Sequence, residues 1–229
     1  MEINRFLCQT LLVGIEAQKK IEYTRIAIVG IGGIGSHAAL HAIQSGLGNI
    51  LLIDHDKLED SNISRCAFFE ESDIGKKKSL AVLDHLQNVG AVVQASQEKL
   101  TPSNAEKLLG KTQVVLDCTD NYESRKTIAD FCAKAKIPWI YSGAARAEAM
   151  VTTFMPGGKT RFSDLAAKPE YELPCNQVGV LPAAVSLAAT VQNAEMLNVI
   201  QGKPALEGKL FYGDLRAGQF IVQDVKKRK

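Results

Sequence analysis

The stretch IAIVGIGGIGSHAALHAIQSG, residues 26–46, constrains the fold of this chain more than any other segment. Apolar residues lead into Gly30, Gly32, Gly33 and Gly35, and an alanine-rich helical pattern follows them. Glycines permit a tight turn between strand and helix, and they let the backbone approach phosphate oxygens at the helix N-terminus. The segment therefore predicts a strand, a phosphate-binding loop and a helix, the opening unit of a nucleotide-binding α/β fold.

Strand and helix patterns alternate along the following hundred or so residues, which is typical of a parallel sheet covered on both faces. Strands are predicted at Arg25–Val29, Asn49–Ile53, Val92–Ala95, within QVVLDCTDN, and at Pro138–Ser142; helices are predicted at Ser36–Ser45, Asp73–Asn88, Ser103–Leu109, Tyr122–Lys136 and Pro182–Ile200. After Gly143, AMVTTFMP, GKLFYGDL and QFIVQDV indicate strands joined by hairpin turns. The sequence thus predicts a Rossmann-like α/β fold with a mixed sheet, parallel in the N-terminal half and antiparallel in the C-terminal strands.

A single domain over residues 1–229 is expected, because 229 residues suit one large α/β unit. Its parts are an N-terminal helical segment (1–24), a nucleotide-binding half (25–145) and a substrate-binding and dimer half (146–229). Residues 156–180 lack periodicity and are expected to form a long loop that crosses the surface. The predicted helix Pro182–Ile200 is apolar nearly all round, so it is either buried or part of a subunit interface.

Composition excludes several classes of function. The formal net charge of +2 does not indicate a nucleic-acid surface, and no apolar run reaches the roughly 20 residues of a membrane span. The N-terminal residues lack the order of a signal peptide. The five cysteines form no CxxC pair, which argues against a zinc site and a disulfide framework. We therefore expect a cytoplasmic protein.

A cluster of polar residues follows the second predicted strand. Asp54 lies 24 residues after Gly30, where an acidic residue can bind ribose hydroxyls, and this alone also fits a dinucleotide-binding oxidoreductase. Downstream, Arg65 and Lys78 can neutralise a triphosphate and the leaving pyrophosphate, which hydride transfer does not require. Asn62 can hold a phosphate or hydroxyl oxygen. Two further lysines precede Lys78, so its assignment is open by a residue or two.

A second polar cluster lies at the predicted strand end LDCTDN. Parallel α/β sheets bind ligands at the carboxyl ends of their strands. Asp120 can hold Mg²⁺ there, since magnesium prefers carboxylate and phosphate oxygens. For Asp117 and Asp56 a structural alternative stands: each can simply hydrogen-bond backbone groups in its own turn.

Taken in order, GIGGIGS, DHD, SNISR, GKKK and DCTDN resemble the motifs of the ThiF/MoeB family, the bacterial and archaeal relatives of ubiquitin-activating enzymes. The resemblance extends from NRFLCQTLLVG to QVGVLPAAVSLAATVQNAEMLNVI, which is nearly the whole chain. Enzymes of this family use ATP to adenylate a carboxylate with release of pyrophosphate, and a sulfur or nitrogen nucleophile then attacks the acyl adenylate. The resemblance implies an adenylyltransferase that uses ATP and Mg²⁺ and forms a homodimer.

The family motifs assign roles to individual residues of this sequence. Carried over, Gly32, Gly33 and Gly35 lie under the phosphates, Asp54 holds the ribose, Asn62, Arg65 and Lys78 contact the triphosphate, and Asp120 binds magnesium and aligns the attack. Gly30, Asp56 and Asn121 adjoin these positions and complete the expected nucleotide site. Arg65, Lys78 and Asp120 are the expected catalytic residues.

Three departures from the family pattern affect these expectations. Many members carry two CxxC pairs for zinc, but GGKTRFSDL stands where the first would be, so we expect a short, zinc-free member. The family's N-terminal segment has two arginines, and the second reaches the partner's ATP; here Arg5 matches the first and Cys8 replaces the second. Arg5 is therefore a candidate ATP contact from the partner subunit.

Cys175, in ELPCNQVGVLP, is the third departure. Some relatives use a cysteine here for a covalent link to the activated partner, so Cys175 is either an acyl acceptor or an incidental residue beside Pro174. The other four cysteines are expected to pack in the interior.

Two kinds of carboxylate compete as the substrate. One is the C-terminal glycine of a ubiquitin-like sulfur-carrier protein, as in thiamine or molybdopterin synthesis, which we favour. The other is a small carboxylic acid, such as the guanylylpyridinol of [Fe]-hydrogenase cofactor synthesis. An NAD- or FAD-binding oxidoreductase and a noncatalytic nucleotide-binding scaffold are the alternatives from other classes.

Overall fold

One mixed sheet of eight strands runs through the molecule. The structure, a computed structural model, describes residues 5–86, 90–165 and 178–226. The strands are β1 (Arg25–Val29), β2 (Asn49–Ile53), β3 (Val92–Ser96), β4 (Val114–Asp117), β5 (Trp139–Ala145), β6 (Glu148–Phe154), β7 (Lys209–Asp214) and β8 (Gln219–Asp224). Their order is β3-β2-β1-β4-β5-β6-β7-β8; β1 to β5 pair in parallel, and β6, β7 and β8 add on in antiparallel fashion. The predicted mixed sheet is confirmed.

Helices cover both faces of this sheet, as predicted. They are α1 (Leu7–Val13), α2 (Ile15–Tyr23), α3 (Gly33–Gln44), α4 (Asp60–Ile63), α5 (Lys78–His85), α6 (Ala105–Leu109), α7 (Tyr122–Ala135), α8 (Phe162–Leu165) and α9 (Pro182–Ile200). Because strand side chains alternate, Ile26 and Ile28 of β1 pack in a core with α3, α5 and α9. Ala27 and Val29 face the other core, with α6 and α7.

The apolar helix α9 is buried within the chain. It packs on α3, β5 and β6, and Ala184, Ala188 and Met196 are inaccessible to solvent. The buried amide of Gln192 is satisfied: its Nε2 donates to the Asp117 and Ile140 carbonyls at 3.1 and 2.8 Å. Burial, the first of the two sequence-based alternatives, thus accounts for the apolar character of this helix.

Three helix starts differ from the predictions; the smallest difference is at α6, which begins at Ala105 rather than Ser103. The predicted helix Asp73–Asn88 begins only at Lys78, after a 3₁₀ turn at Glu71–Asp73. Gly75 has a φ of +87°, which is not helical. Lys57 and Lys77 form an antiparallel bridge, so residues 74–77 stay outside the helix. Conversely, α3 begins at Gly33 rather than Ser36, which brings its N-terminus nearer to the strand ends.

No helix among the described residues combines the length and the apolar character that crossing a membrane requires.

Candidate active site

A cleft of about 580 Å³ opens at the carboxyl ends of the parallel strands. Its lining includes most of the residues that the sequence singled out: Gly30, Gly32, Gly33, Asp54, Asp56, Asn62, Arg65, Lys78, Asp120 and Asn121. Lys78 lines the cleft, whereas its neighbours Lys76 and Lys77 do not, so the predicted contact with the triphosphate stays a prediction for Lys78. Cys175 lies outside the described residues.

The glycines divide into two groups with different functions. Gly30 has a φ of +87°, and a Cβ on it would lie 2.7 Å from the Cys118 carbonyl oxygen. A Cβ on Gly35 would lie 1.8 Å from the Gly30 carbonyl oxygen, so Gly35 is required for packing of α3 on the loop and does not line the cleft. Gly32 is different, because a Cβ there would meet nothing within 4 Å.

The N-terminus of α3 fits a phosphate group. Its N-cap residue is Gly32, which has no side chain to bond the first-turn amides, and both Gly32 and Gly33 line the cleft. Helix N-termini carry partial positive charge and unpaired amides, a combination that attracts anions. The geometry therefore accommodates the phosphates of a nucleotide at this point.

Asp54 fastens the glycine loop to the end of β2. Its Oδ2 accepts a hydrogen bond from the Ile31 amide at 2.6 Å, and its Oδ1 accepts one from the Asp56 amide at 2.7 Å. Burial raises the pKa of the Asp54 carboxyl, and these amides and the nearby Lys78 ammonium partly oppose that effect. Asp54 thus has a structural function in addition to the predicted ribose contact, which stays a prediction.

Three polar side chains on the same wall are each held by local contacts. The Arg65 Nη1 donates to the Ser61 carbonyl at 2.6 Å, and Asn62 Oδ1 accepts from the Glu59 amide at 3.1 Å as part of the N-terminal cap of α4. The Lys78 Nζ lies 3.3 Å from Asp56 Oδ2, with the Lys78 side chain only 13% exposed. The wall therefore presents a fixed guanidinium and a fixed ammonium to the cleft.

The loop after β4 forms the facing wall. Asp117 is fully buried, and its Oδ1 accepts hydrogen bonds from the Thr119 amide at 3.0 Å and hydroxyl at 2.7 Å, so its function is structural. Asn121 caps α7 by accepting from the Ser124 amide at 2.9 Å. Asp120 in this loop has an exposed carboxylate, and carboxylate oxygens are suitable ligands for Mg²⁺.

Sequence reasoning missed Arg125, which also lines the cleft. Its Nη2 donates to the Thr119 carbonyl at 2.8 Å, and its guanidinium lies 4.7 Å from the centre of the Tyr141 ring. Residues four apart share a helix face, so the position of Arg125 one turn after Asn121 was the signal that could have identified it.

Beyond Arg125 the cleft becomes aromatic. Tyr122, Tyr141 and Phe162 line this part of the cleft, and the ring centres of Tyr122 and Tyr141 lie 5.6 and 6.5 Å from that of Phe162 on α8. At the end of this region Arg146 forms the tip of the β5–β6 hairpin with a φ of +53°. This half of the cleft is suited to a substrate with an extended or apolar portion.

Arg5 lies away from the cleft of its own chain. It lines a separate depression with Glu22, Gly48 and Gly90, at the opposite ends of the first three strands. A contact between Arg5 and a nucleotide would therefore require a second copy of the chain, and the predicted contact from the partner subunit stays a prediction.

The cysteines that the structure describes differ in their burial. Cys118 and Cys132 are buried, and burial raises the pKa of both thiols, so they stay protonated and unreactive. Cys66 is half-buried, with a pKa that burial also raises. Cys8 is exposed on α1, so the expectation that it packs in the interior is wrong.

Comparison with known proteins places this site in context. The ThiF family model matches residues 6–229. The adenylyltransferase and sulfurtransferase MOCS3 of Bos taurus is 28% identical over 236 residues, which cover 100% of this chain and 52% of that protein. The MOCS3 of Culex quinquefasciatus is 29% identical over 227 residues, covering 96% and 52%. The chain thus spans about half the length of these curated relatives.

Solved structures share the fold. E. coli MccB with ATP superposes with a TM-score of 0.86 at 20% identity, covering 99% of this chain and 73% of that one. PaaA superposes with a TM-score of 0.83 at 25% identity, covering 99% and 74%. The likeness to MccB concerns the fold alone.

Proposed function

This chain belongs to the ThiF family, and on that premise we propose that it is an ATP-dependent adenylyltransferase, which activates a carboxylate as an acyl adenylate. One observation carries the proposal: a single cleft combines an uncapped helix N-terminus, two fixed cations and an exposed carboxylate. The hydride transfer step of a dehydrogenase does not require these two cations. The MOCS3 relatives are named adenylyltransferases, and MccB, which shares the fold, has been solved with ATP; both agree with this chemistry.

In the proposed reaction, an oxygen of the substrate carboxylate attacks the α-phosphorus of ATP. The bond between that phosphorus and the β-phosphate oxygen breaks, and pyrophosphate leaves with the electron pair. The substrate oxygen is already nucleophilic, so no protein nucleophile is needed. The amides of α3, Arg65 and Lys78 hold the phosphates and neutralise the charge that develops on pyrophosphate.

Asp120 is the proposed magnesium ligand. Bound Mg²⁺ would neutralise phosphate charge. The residues of the β4–α7 loop have the separate task of placing the Asp120 carboxylate at the correct point of the cleft.

The proposed substrate is the C-terminal glycine of a ubiquitin-like sulfur-carrier protein. The relatives that match the whole chain are named adenylyltransferase and sulfurtransferase, which favours a sulfur pathway. The aromatic half of the cleft, around Tyr141 and Phe162, provides length for an extended tail. Cys175 remains a proposed acceptor of the acyl group.

We also propose a homodimer that forms through α1. Leu7, Leu11 and Leu12 of α1 are 51%, 79% and 86% exposed, and Leu7 and Leu11 lie one helical turn apart. Such a stripe of exposed aliphatic side chains favours burial against another surface. Arg5 directly precedes this stripe, so a second copy packed there is the one that can receive its guanidinium.

ATP–pyrophosphate exchange tests the proposal. We expect exchange that depends on a carrier peptide ending in Gly-Gly, and none with the same peptide amidated at its C-terminus. Exchange with only a small acid such as guanylylpyridinol would correct the substrate and keep the reaction. Tight NAD binding without any exchange would contradict the proposed function.

A further inference from the structure

The first turn of α3 touches the segment that carries Arg65 at several points. A Cβ on Gly33 would lie 3.4 Å from the Arg65 carbonyl oxygen, so the two backbones are close. One turn further, the Ser36 hydroxyl accepts a hydrogen bond from the Ala67 amide at 2.9 Å and donates to the Gly33 carbonyl, also at 2.9 Å. The neighbouring His37 side chain hydrogen-bonds the Arg65 backbone.

Ser36 is the centre of these contacts. It is completely buried, and its hydroxyl also contacts the Cys66 thiol. Within the described part of the chain, Gly33 and Arg65 line the cleft whereas Ser36 does not. The Ser36 hydroxyl therefore connects α3 to the Arg65 segment, both of which line the cleft, but the hydroxyl does not line the cleft itself.

We infer that Ser36 is a positioning residue, which fixes the distance between the glycine loop and the Arg65 guanidinium. The inference rests on the proposed function, since it assumes that both elements bind the same triphosphate. Charged contacts to a phosphate depend on placement within about half an ångström. The buried Ser36 hydroxyl supplies that placement, because its bond to the Ala67 amide joins α3 to the Arg65 segment, and its bond to the Gly33 carbonyl within α3 holds the hydroxyl in position.

Lys78 provides a contrast within the same cleft. Its amide donates to the Asp56 carbonyl at 3.0 Å and its ammonium pairs with the Asp56 carboxylate. These contacts run through the end of β2 and bypass the Ser36 hydroxyl. A change at Ser36 should therefore act on the contribution of Arg65 to binding and leave that of Lys78 intact.

The test is a pair of double-mutant cycles, with the affinity for the nonhydrolysable analogue AMPCPP in the presence of Mg²⁺ measured by calorimetry. We expect Ser36→Ala to weaken binding about fivefold to tenfold, the effect of one lost hydrogen bond at a charged site. In the Arg65→Ala background the same change should weaken it less than twofold. In the Lys78→Ala background it should keep its full effect, because the two residues are independent.

Two further variants separate positioning from general destabilisation. Thr112→Ala removes another buried hydroxyl, which donates to the Leu109 carbonyl far from the cleft, and should leave affinity unchanged. If Ser36→Ala does not fold, Ser36→Cys keeps a weaker donor and acceptor there and should show a smaller, equally Arg65-dependent loss.

Equal losses from Ser36→Ala in all three backgrounds, or an unchanged affinity in the folded variant, would overturn the inference alone. A wild-type chain that does not bind AMPCPP would contradict the proposed function, and the inference with it.

Discussion

At the residue scale, the exposed Asp120 carboxylate is the group whose function can be isolated. Its loop is fixed by other side chains, since Asp117 and Arg125 bond Thr119, and Asn121 caps α7. Asp120→Ala should therefore leave the loop and ATP binding intact while lowering pyrophosphate exchange at least a hundredfold, about the effect of removing one transition-state contact. Exchange assays and AMPCPP calorimetry on the same preparation measure both.

The control for this prediction is Asp130→Ala, which removes an exposed carboxylate of α7 that pairs with Lys126 and does not line the cleft. It should leave exchange unchanged. If Asp120→Ala retained most of the exchange activity, residues other than Asp120 would have to bind magnesium and align the attack.

Asp73 carries the clearest pH dependence of stability. Burial raises the pKa of this carboxyl, but hydrogen bonds from His85, Lys76 and the Glu70 amide outweigh it and lower the pKa to about 2. Because the folded pKa lies below the ordinary value of 3.8, the stabilisation is complete above that pH and is lost as the pH falls from about 4 towards 2.

Asp73→Asn should accordingly reduce the free energy of unfolding by about 1 kcal/mol at pH 7, allowing for solvent screening. The difference from wild type should shrink progressively below pH 4 in urea titrations. Asp130→Asn, at an exposed pair, should have little effect at any pH. A constant difference across the range would contradict the assigned hydrogen bonds.

At the scale of elements, the turn from β1 into α3 combines packing and binding in neighbouring glycines. Gly35→Ala places a methyl group on the Gly30 carbonyl and should destabilise the fold by about 3 kcal/mol or more. Gly32→Ala meets open space, so it should preserve stability and weaken AMPCPP binding. Thermal denaturation measures the stability of the two variants, and calorimetry measures their affinity for AMPCPP. A stable Gly35→Ala variant and an unstable Gly32→Ala variant would contradict the functions assigned to these glycines.

Elements whose limits depend on local sequence were predictable. β1, β2 and α9 match their predicted bounds, because each is an apolar run that stops at polar or turn residues. The start of α5 was not predictable in this way, since the Lys57–Lys77 bridge joins residues twenty positions apart. The same distinction applies to the site: motif residues were found, whereas Arg125 depends on which side of α7 faces the cleft.

At the scale of the whole molecule, the exposed aliphatic stripe of α1 predicts self-association. Leu11→Glu should convert a homodimer into a monomer in sedimentation velocity experiments, because a charge in an apolar interface is strongly unfavourable. The same variant should lose exchange activity if Arg5 acts on the partner's nucleotide.

Two other exposed apolar residues provide controls. Val92 lies on β3 at the edge of the sheet and is 60% exposed. Val92→Glu should not change the sedimentation coefficient. Phe220→Glu alters the β8 edge, where Phe220 is 55% exposed. Dissociation by Phe220→Glu and not by Leu11→Glu would move the interface from α1 to that edge.

The strand order has a consequence for how the chain acquires its ligand during synthesis. β1 lies between β2 and β4, and β4 follows it by nearly ninety residues. A nascent chain therefore exposes the glycine loop long before the opposite wall has left the ribosome. A ligand stabilises only conformations that bind it, so a nucleotide that binds this cleft can assist folding late in biogenesis and not at its start.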